Sequence, residues 1–465
     1  MNAVALTVPR LLAYGLPAAP LALLGLPLYV YVPSFYAETL GLSLAGVGVV
    51  LLVARLLDVI TDPVVGVLSD RWPGRYRRKA VMALGIPLLL VGLGLLFQPA
   101  PGSGLVALGF AAALTYLGWT LVSVPYHAWG AELECDYHAR TRLASVRELF
   151  VLAGTLLALG IPTLLGIAGD RGATLGFFGS ALPWLLLPAA VLAALLVPEA
   201  TTHPAERTPF RLIAAWQGVI ANPSMRRLMP AYFINGIANA VPATLFLMFV
   251  SQVVQADAAA GLLLTSYFVA AILGLPLWWW LAKRFGKHRT WSGAMLFCAA
   301  VFASVPFLVG PGDVTVFAII CVLTGFTLGA DVALPASMQA DVVESDAMRT
   351  RQSRAAMLFG LWGMLTKLAL ALAVGVVFPV LALAGFDPRG ANTGSGLLAL
   401  TLLYSLLPVL IKLAAIALMW RFPLDASALE RLRRSSFDGD SSNGSIQFDM
   451  AARSAASDGV RANAP

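Results

Sequence analysis

Arg55-Leu56-Leu57-Asp58-Val59-Ile60-Thr61-Asp62-Pro63-Val64-Val65-Gly66 stands in the middle of an apolar run from 43 to 68. Spacings of three and four put Arg55, Asp58 and Asp62 on one face of a helix. The run exceeds the roughly 20 residues that cross a bilayer core. Ionisable groups at that depth are costly and mark functional positions. Two carboxylates one turn apart have two uses. They share a hard cation such as Na+, which takes several oxygen ligands, or they share a proton, because two like charges so close resist being ionised together. On this reading Arg55 is the charge partner that holds the pair when no ion is bound; the other reading is a charge cluster near a helix end that only sets topology.

The rest of the chain has the same character. It has 465 residues, of which 59% are hydrophobic and only 12% charged, with mean hydropathy +0.82. Soluble domains are about 45–50% apolar and about 25% charged, so a water-facing surface is excluded. Inside a bilayer only helices and closed barrels satisfy every backbone polar group. The apolar runs are too long and continuous for barrel strands. The expectation is an all-α membrane protein. Arg10 precedes an apolar stretch with no small-residue cleavage site, so it opens the first span rather than a signal peptide. Cys135, Cys298 and Cys321 show no paired or metal-like spacing. Net charge is +7, but its placement says more than its sign, and no nucleic-acid partner is expected.

Twelve spans are expected at roughly 11–36, 43–68, 80–98, 105–129, 145–168, 175–197, 228–252, 259–282, 290–309, 314–340, 355–384 and 396–421. Basic residues crowd alternate loops (69–79, 131–144, 198–227, 283–289 and 341–354), while the opposite loops carry only Arg171 and Arg389. The positive-inside rule then puts both termini in the cytoplasm. The polar loop 198–227 divides the chain into an N-terminal six-helix bundle (1–197) and a C-terminal one (228–421). That is the layout of a two-bundle transporter with a path between the bundles. The tail, 422–465, is poor in apolar residues and is expected to be a disordered cytoplasmic extension.

Other residues stand out. The loop from Ser69 to Lys79 carries Asp70, Arg71, Arg75 and Arg77. It serves as a topology anchor, as a cytoplasmic latch between bundles, or as both. Lys367 sits far from either end of the eleventh span. A buried ammonium there needs a counter-charge, with Asp58 or Asp62 the choice, unless it faces a wet cavity. Lys412 has no neighbouring motif and reads as structural. Arg147 and Glu148 open the fifth span. Asp331, one turn before Pro335, is either a proton or substrate group or a satisfied carboxylate at a kink. His127, beside Tyr126 and Trp129, either touches substrate or is satisfied locally. No nucleotide-binding loop, nucleophile elbow, His-Glu-x-x-His or zinc-type cysteine pair occurs, so neither an ATP motor nor an enzyme is read here, and no cofactor.

These residues resemble the glycoside–pentoside–hexuronide:cation symporter family, a branch of the major facilitator superfamily typified by melibiose permease. The resemblance rests on Tyr14-Gly15 and Tyr36…Gly41-Leu42-Ser43 around span one, and on Arg55-x-x-Asp58-x-x-x-Asp62-Pro63-x-x-Gly66. It also rests on Ala340-Asp341-Val342-Val343-Glu344 in the loop after span ten, and on Lys367. It implies the major facilitator fold, twelve helices in two six-helix bundles working by alternating access. It implies that Asp58, Asp62 and Lys367 form the site of a coupling cation, Na+ or H+, and that Arg147 lines the central cavity. Tyr126, His127, Ser123, Ala22 and Asp331 complete the expected substrate cavity. Asp70, Arg71, Arg75, Arg77, Asp341 and Glu344 form the expected cytoplasmic gate. Sugar-carrying members have carboxylates where this chain has Ala22 and Ser123, and a pocket tryptophan near His127.

Two cargo classes follow from the resemblance: a small organic solute of sugar or glycoside type, and an amphipathic lysolipid or fatty-acid derivative. A non-transporting receptor or scaffold is the contrasting reading, and it has no use for the costly Asp58–Asp62–Lys367 set. The partners expected are a small-molecule substrate and the lipid bilayer of a bacterial inner membrane, with the protein a monomer. The topology has a direct check. In a cysteine-free background, Arg171→Cys and Arg389→Cys should react with a membrane-impermeant thiol reagent from outside, and Arg77→Cys and Lys287→Cys should not. The reverse labelling pattern would overturn the orientation.

Overall fold

A computed structural model describes residues 6–25, 27–133, 136–167, 170–199, 220–350, 354–386, 392 and 394–434. Arg389, most of the expected central loop (200–219) and the chain from 435 onward lie outside the described residues. All regular structure among the described residues is helical, as an apolar solvent demands of a backbone that must pair its own polar groups.

Helix α1 (Val8–Gly15), α2 (Ala18–Leu23) and two wide turns at Pro27–Tyr31 and Phe35–Thr39 make the first crossing. A single helix was expected over 11–36. Pro17, Pro20, Pro27 and Pro33 each lack an N–H and crowd the carbonyl four residues back, so the crossing is broken into short pieces. Eleven long helices follow: α3 (Leu44–Arg71), α4 (Arg77–Phe97), α5 (Leu105–Leu133), α6 (Tyr137–Leu164), α7 (Arg171–Leu196), α8 (Pro223–Phe249), α9 (Ala260–Phe285), α10 (Lys287–Leu308), α11 (Val314–Thr350), α12 (Ala355–Leu383) and α13 (Gly394–Met419). Ten of them, α4 to α13, are long and apolar enough to cross a membrane. The eleventh, α3, has the length but is interrupted by Arg55, Asp58 and Asp62. With the broken first crossing this makes, among the described residues, the twelve crossings expected from the sequence.

Several helices overrun their expected ends. Asp341 and Glu344, expected in a loop, ride on the last turns of the 37-residue α11. Asp136 and Asn222 start α6 and α8 by accepting hydrogen bonds from backbone N–H groups of the first turn, which satisfies donors that a helix start leaves open. The expected disordered tail begins with order. Residues 426–434 form a further helix, α14. Phe422, Leu424 and Leu429 bury against the main body. The low apolar content averaged over the whole tail hid this short amphipathic start.

One apolar core joins the helices of the first half, including Tyr14, Leu89 and Phe178. Another joins those of the second, including Phe249, Phe317 and Tyr404. A third runs across both, bringing Val65, Leu121 and Tyr137 against Ala356, Leu358 and Leu361. This shared core depends on a close crossing of α3 and α12. A Cβ on Gly66 would strike the backbone of Ala356, and one on Gly360 would strike the carbonyl of Asp62. Small residues at both faces let the two backbones touch, as in other intramembrane helix pairs. Gly360→Val should therefore lower stability by about 1–3 kcal/mol through overpacking. It should also lower the unfolding temperature and reduce transport. Gly375→Val, on the same helix but with open space around it, should do neither. Equal behaviour of the two variants in a thermal-unfolding assay would show that the crossing is not tight.

Candidate functional site

The crossing of α3 and α12 places Lys367 against both span-two carboxylates. Its Nζ lies 2.6 Å from Asp58 Oδ2 and 2.8 Å from Asp62 Oδ2, and donates to Asp62 Oδ1 at 2.9 Å. Asp62 is 2% exposed and Asp58 7%, while the Lys367 side chain is 25% exposed. Thr120 on α5 completes the group, its hydroxyl 2.8 Å from Asp58 Oδ1 and 2.8 Å from Asp62 Oδ1. A hydroxyl has one proton to donate. Its two carboxylate contacts are both favourable only when a shared proton or a cation joins them. Five oxygens from three side chains thus converge at the depth of the crossing. They suit a hard monovalent cation, which prefers oxygen ligands, and they suit a proton equally well in kind. Among the described residues there is no cluster of three or more His, Cys, Asp or Glu side chains able to hold a metal. Thr120 was not singled out in the sequence, because nothing in span four marks it. Arg55 lies one turn before Asp58 on α3, and the cation between the carboxylates is Lys367.

Eight residues along α3 from Asp62, Asp70 reaches the start of α12. Its carboxylate accepts from the backbone N–H groups of Ala356 (3.0 Å) and Met357 (2.9 Å), the positive end of that helix. Arg78 holds the same carboxylate at 2.6 Å from the side of the first half. A second link joins α6 to α11. Arg140 bonds Asp341 at 3.1 Å and Glu344 at 2.5 Å, and Thr141 meets Ser337 at 3.0 Å. Within the second half, Lys287 also holds Asp341, at 2.5 Å, and Arg433 of α14 holds Glu344. Of the expected gate residues, the structure thus brings Asp70, Asp341 and Glu344 into contacts between the halves. Arg77 turns instead to Glu132 of its own half, Arg75 packs over its neighbour Tyr76, and Arg71 ends α3. Of the cationic partners, Arg78 belongs to the loop read as an anchor or latch but was not named as a gate residue, and Arg140 was read only as a topology marker.

Between the halves, next to the Arg140 link, lies a small cavity lined by Tyr14, His127, Arg140, Arg147, Ser337 and Phe359, among others. His127 and Phe359 face each other with ring centres 6.0 Å apart. Arg147 pairs with the adjacent Glu148 at 2.5 Å. Tyr126 stands behind the lining, stacked on Tyr14 at 4.9 Å and donating to its carbonyl. Ser123, one turn before His127, and Ala22 are half-buried and are not among the lining residues.

Asp331 is elsewhere. It lies in a network enclosed by the second half, accepting from Trp291 at 2.7 Å and Asn239 at 3.1 Å and paired with Lys412 at 3.0 Å. Lys412 is fully buried and also donates to Asn235 and Asn239. The cavity reading of Asp331 gives way to a satisfied carboxylate, and Lys412, read as lacking any motif, is its partner. These side chains come from α8, α10, α11 and α13, so no spacing in the sequence could join them.

The helical fold and the ion pair across its two halves are those of a membrane transporter of the major facilitator class. The chain matches the MFS/sugar transport protein family over residues 13–426 and belongs to it. It is 25% identical over 409 residues to the putative glycoside/cation symporter YagG of Escherichia coli, covering 86% of this chain and 88% of that one. It is 22% identical over 469 residues to the sodium-dependent lysophosphatidylcholine symporter 1 of Gallus gallus, covering 90% and 87%. Among solved structures, the fucose:proton symporter of E. coli shares the fold with a TM-score of 0.67 at 14% identity, over 88% of this chain and 98% of that one. Family and fold are those of transporters, not enzymes.

Removing one member of a buried pair leaves the other charge without its partner, at about 3–5 kcal/mol. Lys412→Ala should lose stability on that scale, and Lys412→Ala combined with Asp331→Asn should recover part of it. Strictly additive losses in chemical unfolding would show that the two do not interact.

Proposed function

We propose that the chain is a cation-coupled symporter of a small organic solute of sugar or glycoside type, working by alternating access. Asp58, Asp62 and Thr120 bind the coupling ion, Na+ or H+, and Lys367 is the ammonium whose hold on the carboxylates the ion weakens. The observation that carries this reading is the contact of Lys367 with both carboxylates across the two halves. The charges make the coupling physical. Two carboxylates and one ammonium sum to one negative charge, and a single monovalent cation brings the site to neutrality. A neutral site is the cheaper one to carry through a low-dielectric interior. A cation that shares the carboxylates weakens the hold of Lys367 while Lys367 stays within the neutral cluster, so the bond between the halves loosens. The ion acts through its different affinity for the two arrangements.

In the same proposal the bundles are 1–197 and 228–421, joined by 198–227, and the protein works as a monomer. The termini lie in the cytoplasm, and the host membrane is a bacterial inner membrane. Asp70, Arg78, Arg140, Asp341 and Glu344 then form a closed cytoplasmic gate, with the central cavity approached from outside. A second reading keeps this machinery and changes the cargo to a lysolipid. The likeness to the Gallus gallus lysophosphatidylcholine symporter and the uncharged Ala22 and Ser123 favour it.

In proteoliposomes, Asp58→Asn and Asp62→Asn should each abolish uphill accumulation driven by a Na+ or pH gradient while downhill exchange persists. Lys367→Ala should do the same and should also destabilise the ion-free protein. Asp58→Asn combined with Lys367→Ala should restore part of that stability without restoring accumulation. Concentrative uptake by both aspartate variants would place the ion site elsewhere.

A further inference from the structure

Each carboxylate that ties the halves together at the ends of α3 and α11 also has a cation from its own half. Asp70 meets the N–H groups of α12 across the divide and Arg78 on its own side, at 2.6 Å. Asp341 meets Arg140 across the divide, at 3.1 Å, and Lys287 on its own side, at 2.5 Å. Glu344 meets Arg140 through Oε2, at 2.5 Å. On its own side it meets Arg433, which grips both oxygens, Nε on Oε1 at 2.8 Å and Nη2 on Oε2 at 2.9 Å. Two guanidinium groups from opposite halves therefore meet on one oxygen. Arg78 and Lys287 ride on the first turns of α4 and α10. Arg433 comes from α14, which follows the last crossing.

Asp425 starts α14 by accepting from the N–H of Ala428 at 2.7 Å and the hydroxyl of Ser427 at 2.8 Å, the usual service of a capping carboxylate. The ring of Phe422 stands 6.1 Å from His288 of α10, so ring and arginine both fix α14 to the second half. Phe422, Leu424 and Leu429 join the apolar core that runs across both halves. Taken alone, those side chains would make α14 a brace that holds the halves closed. The charges point the other way. Only interactions that differ between two arrangements shift the balance between them. Arg433 and Glu344 belong to one half and stay together whichever way the halves stand. What differs is the approach of Arg140. In the closed arrangement it brings a second positive charge to Glu344 Oε2, against Arg433. The Arg140 side chain is 4% exposed and that of Arg433 27%, so water screens their repulsion only in part.

We propose that Arg433 is a stand-in counter-ion for Glu344, through which α14 favours opening of the cytoplasmic gate instead of holding it shut. This inference rests on the reading of these contacts as a cytoplasmic gate and goes further, in giving the C-terminal helix a positioning role in the transport cycle. Loss of Arg433 then has two effects of one sign. The closed arrangement gains, because Arg140 has Glu344 undivided and unopposed. The open arrangement loses, because Glu344 is left without a cation when Arg140 withdraws, and a largely buried carboxylate stripped of its partner is costly. Removal of a brace has the opposite sign, since it opens the gate.

The test reads the gate directly, in the full chain in nanodiscs at fixed Na+ and pH. Nitroxide labels are placed on Pro73→Cys and Phe285→Cys, both exposed, in a background free of other cysteines. Double electron–electron resonance then gives a short distance for the closed gate and a longer one for the open gate. Arg140→Gln should raise the share of the long distance. Arg433→Gln should lower the open-to-closed ratio about threefold or more, and Arg433→Lys, which keeps the charge, should stay within about twofold of the parent. In Glu344→Gln the two arginines share no carboxylate, so adding Arg433→Gln should change the ratio by less than about twofold. If the parent shows only the short distance, the same series is read on Asp70→Asn, which removes the other link and brings the long distance into range. A larger open share in Arg433→Gln, or an unchanged one, while Arg140→Gln opens the gate, overturns the inference and leaves the gate standing. If Arg140→Gln also leaves the distances unchanged, the gate reading itself has failed and the role of Arg433 falls with it.

Discussion

An ammonium shared by two carboxylates inside a bilayer tolerates little slack. Lys367 comes from the second half of the chain and Asp58 and Asp62 from the first, and the three atoms groups lie within 2.6 to 2.9 Å. In hydrocarbon no water repairs a stretched contact, so the helices that carry these groups must meet closely. That requirement explains Gly66 on one side and Gly360 and Gly363 on the other, where a side chain would collide with backbone or with Asp62 itself. Thr120 adds a third helix to the constraint, because one hydroxyl spans both carboxylates. The shared core of Val65, Leu121, Ala356 and Leu361 then closes around the contact.

The same helix pair is tied again at its end. Asp70 follows Asp62 by eight residues, about 12 Å at the helical rise, and it binds the open N–H groups at the start of α12. A carboxylate at a helix N-terminus satisfies donors that the helix cannot satisfy itself and meets the positive end of its dipole. Loss of the inner contact leaves the outer one to hold α3 to α12 with help from Arg140, Asp341 and Glu344. Arg433 competes for the same Glu344 carboxylate from α14, so the end of the chain shares in the charge balance of this network.

The parts legible in the sequence were those written on one helix. Arg55, Asp58, Asp62 and Pro63 could be read from spacing alone, and the apolar runs marked the twelve crossings, with most ends within about five residues but α6 starting eight residues earlier and α11 ending ten residues later than expected. What was hidden was pairing between distant helices. Thr120 is one threonine in an ordinary apolar run, and its role exists only because α5 passes beside α3. Arg140 looked like a topology marker, because charge near a loop has that use in every membrane protein, and Arg78 was one of several arginines in a loop that read as anchor or latch without a partner named for it. The break in the first crossing was foreshadowed by its four prolines, but the wide turns they produce depend on what packs against them. The order in α14 was missed for a different reason. Three apolar side chains are enough to dock a helix onto an existing surface, though far too few to fold it alone.

Lys367 and Lys412 show how much the surroundings decide. Both are single lysines in apolar helices, and both sit against a carboxylate. Lys412 is fully buried, and its partners Asn235, Asn239 and Asp331 all belong to the second half. Whatever moves one of them as a rigid body moves the others, so the network has the same energy in every arrangement of the halves. Lys367 keeps a quarter of its side chain exposed, and its partners belong to the opposite half. Its contacts therefore depend on how the halves are arranged. An equilibrium between two states responds only to interactions that differ between them. By that criterion Lys412 fastens the second half together, and of these two lysines Lys367 is the one whose contacts are sensitive to the arrangement of the halves, which is the role the proposed coupling asks of it.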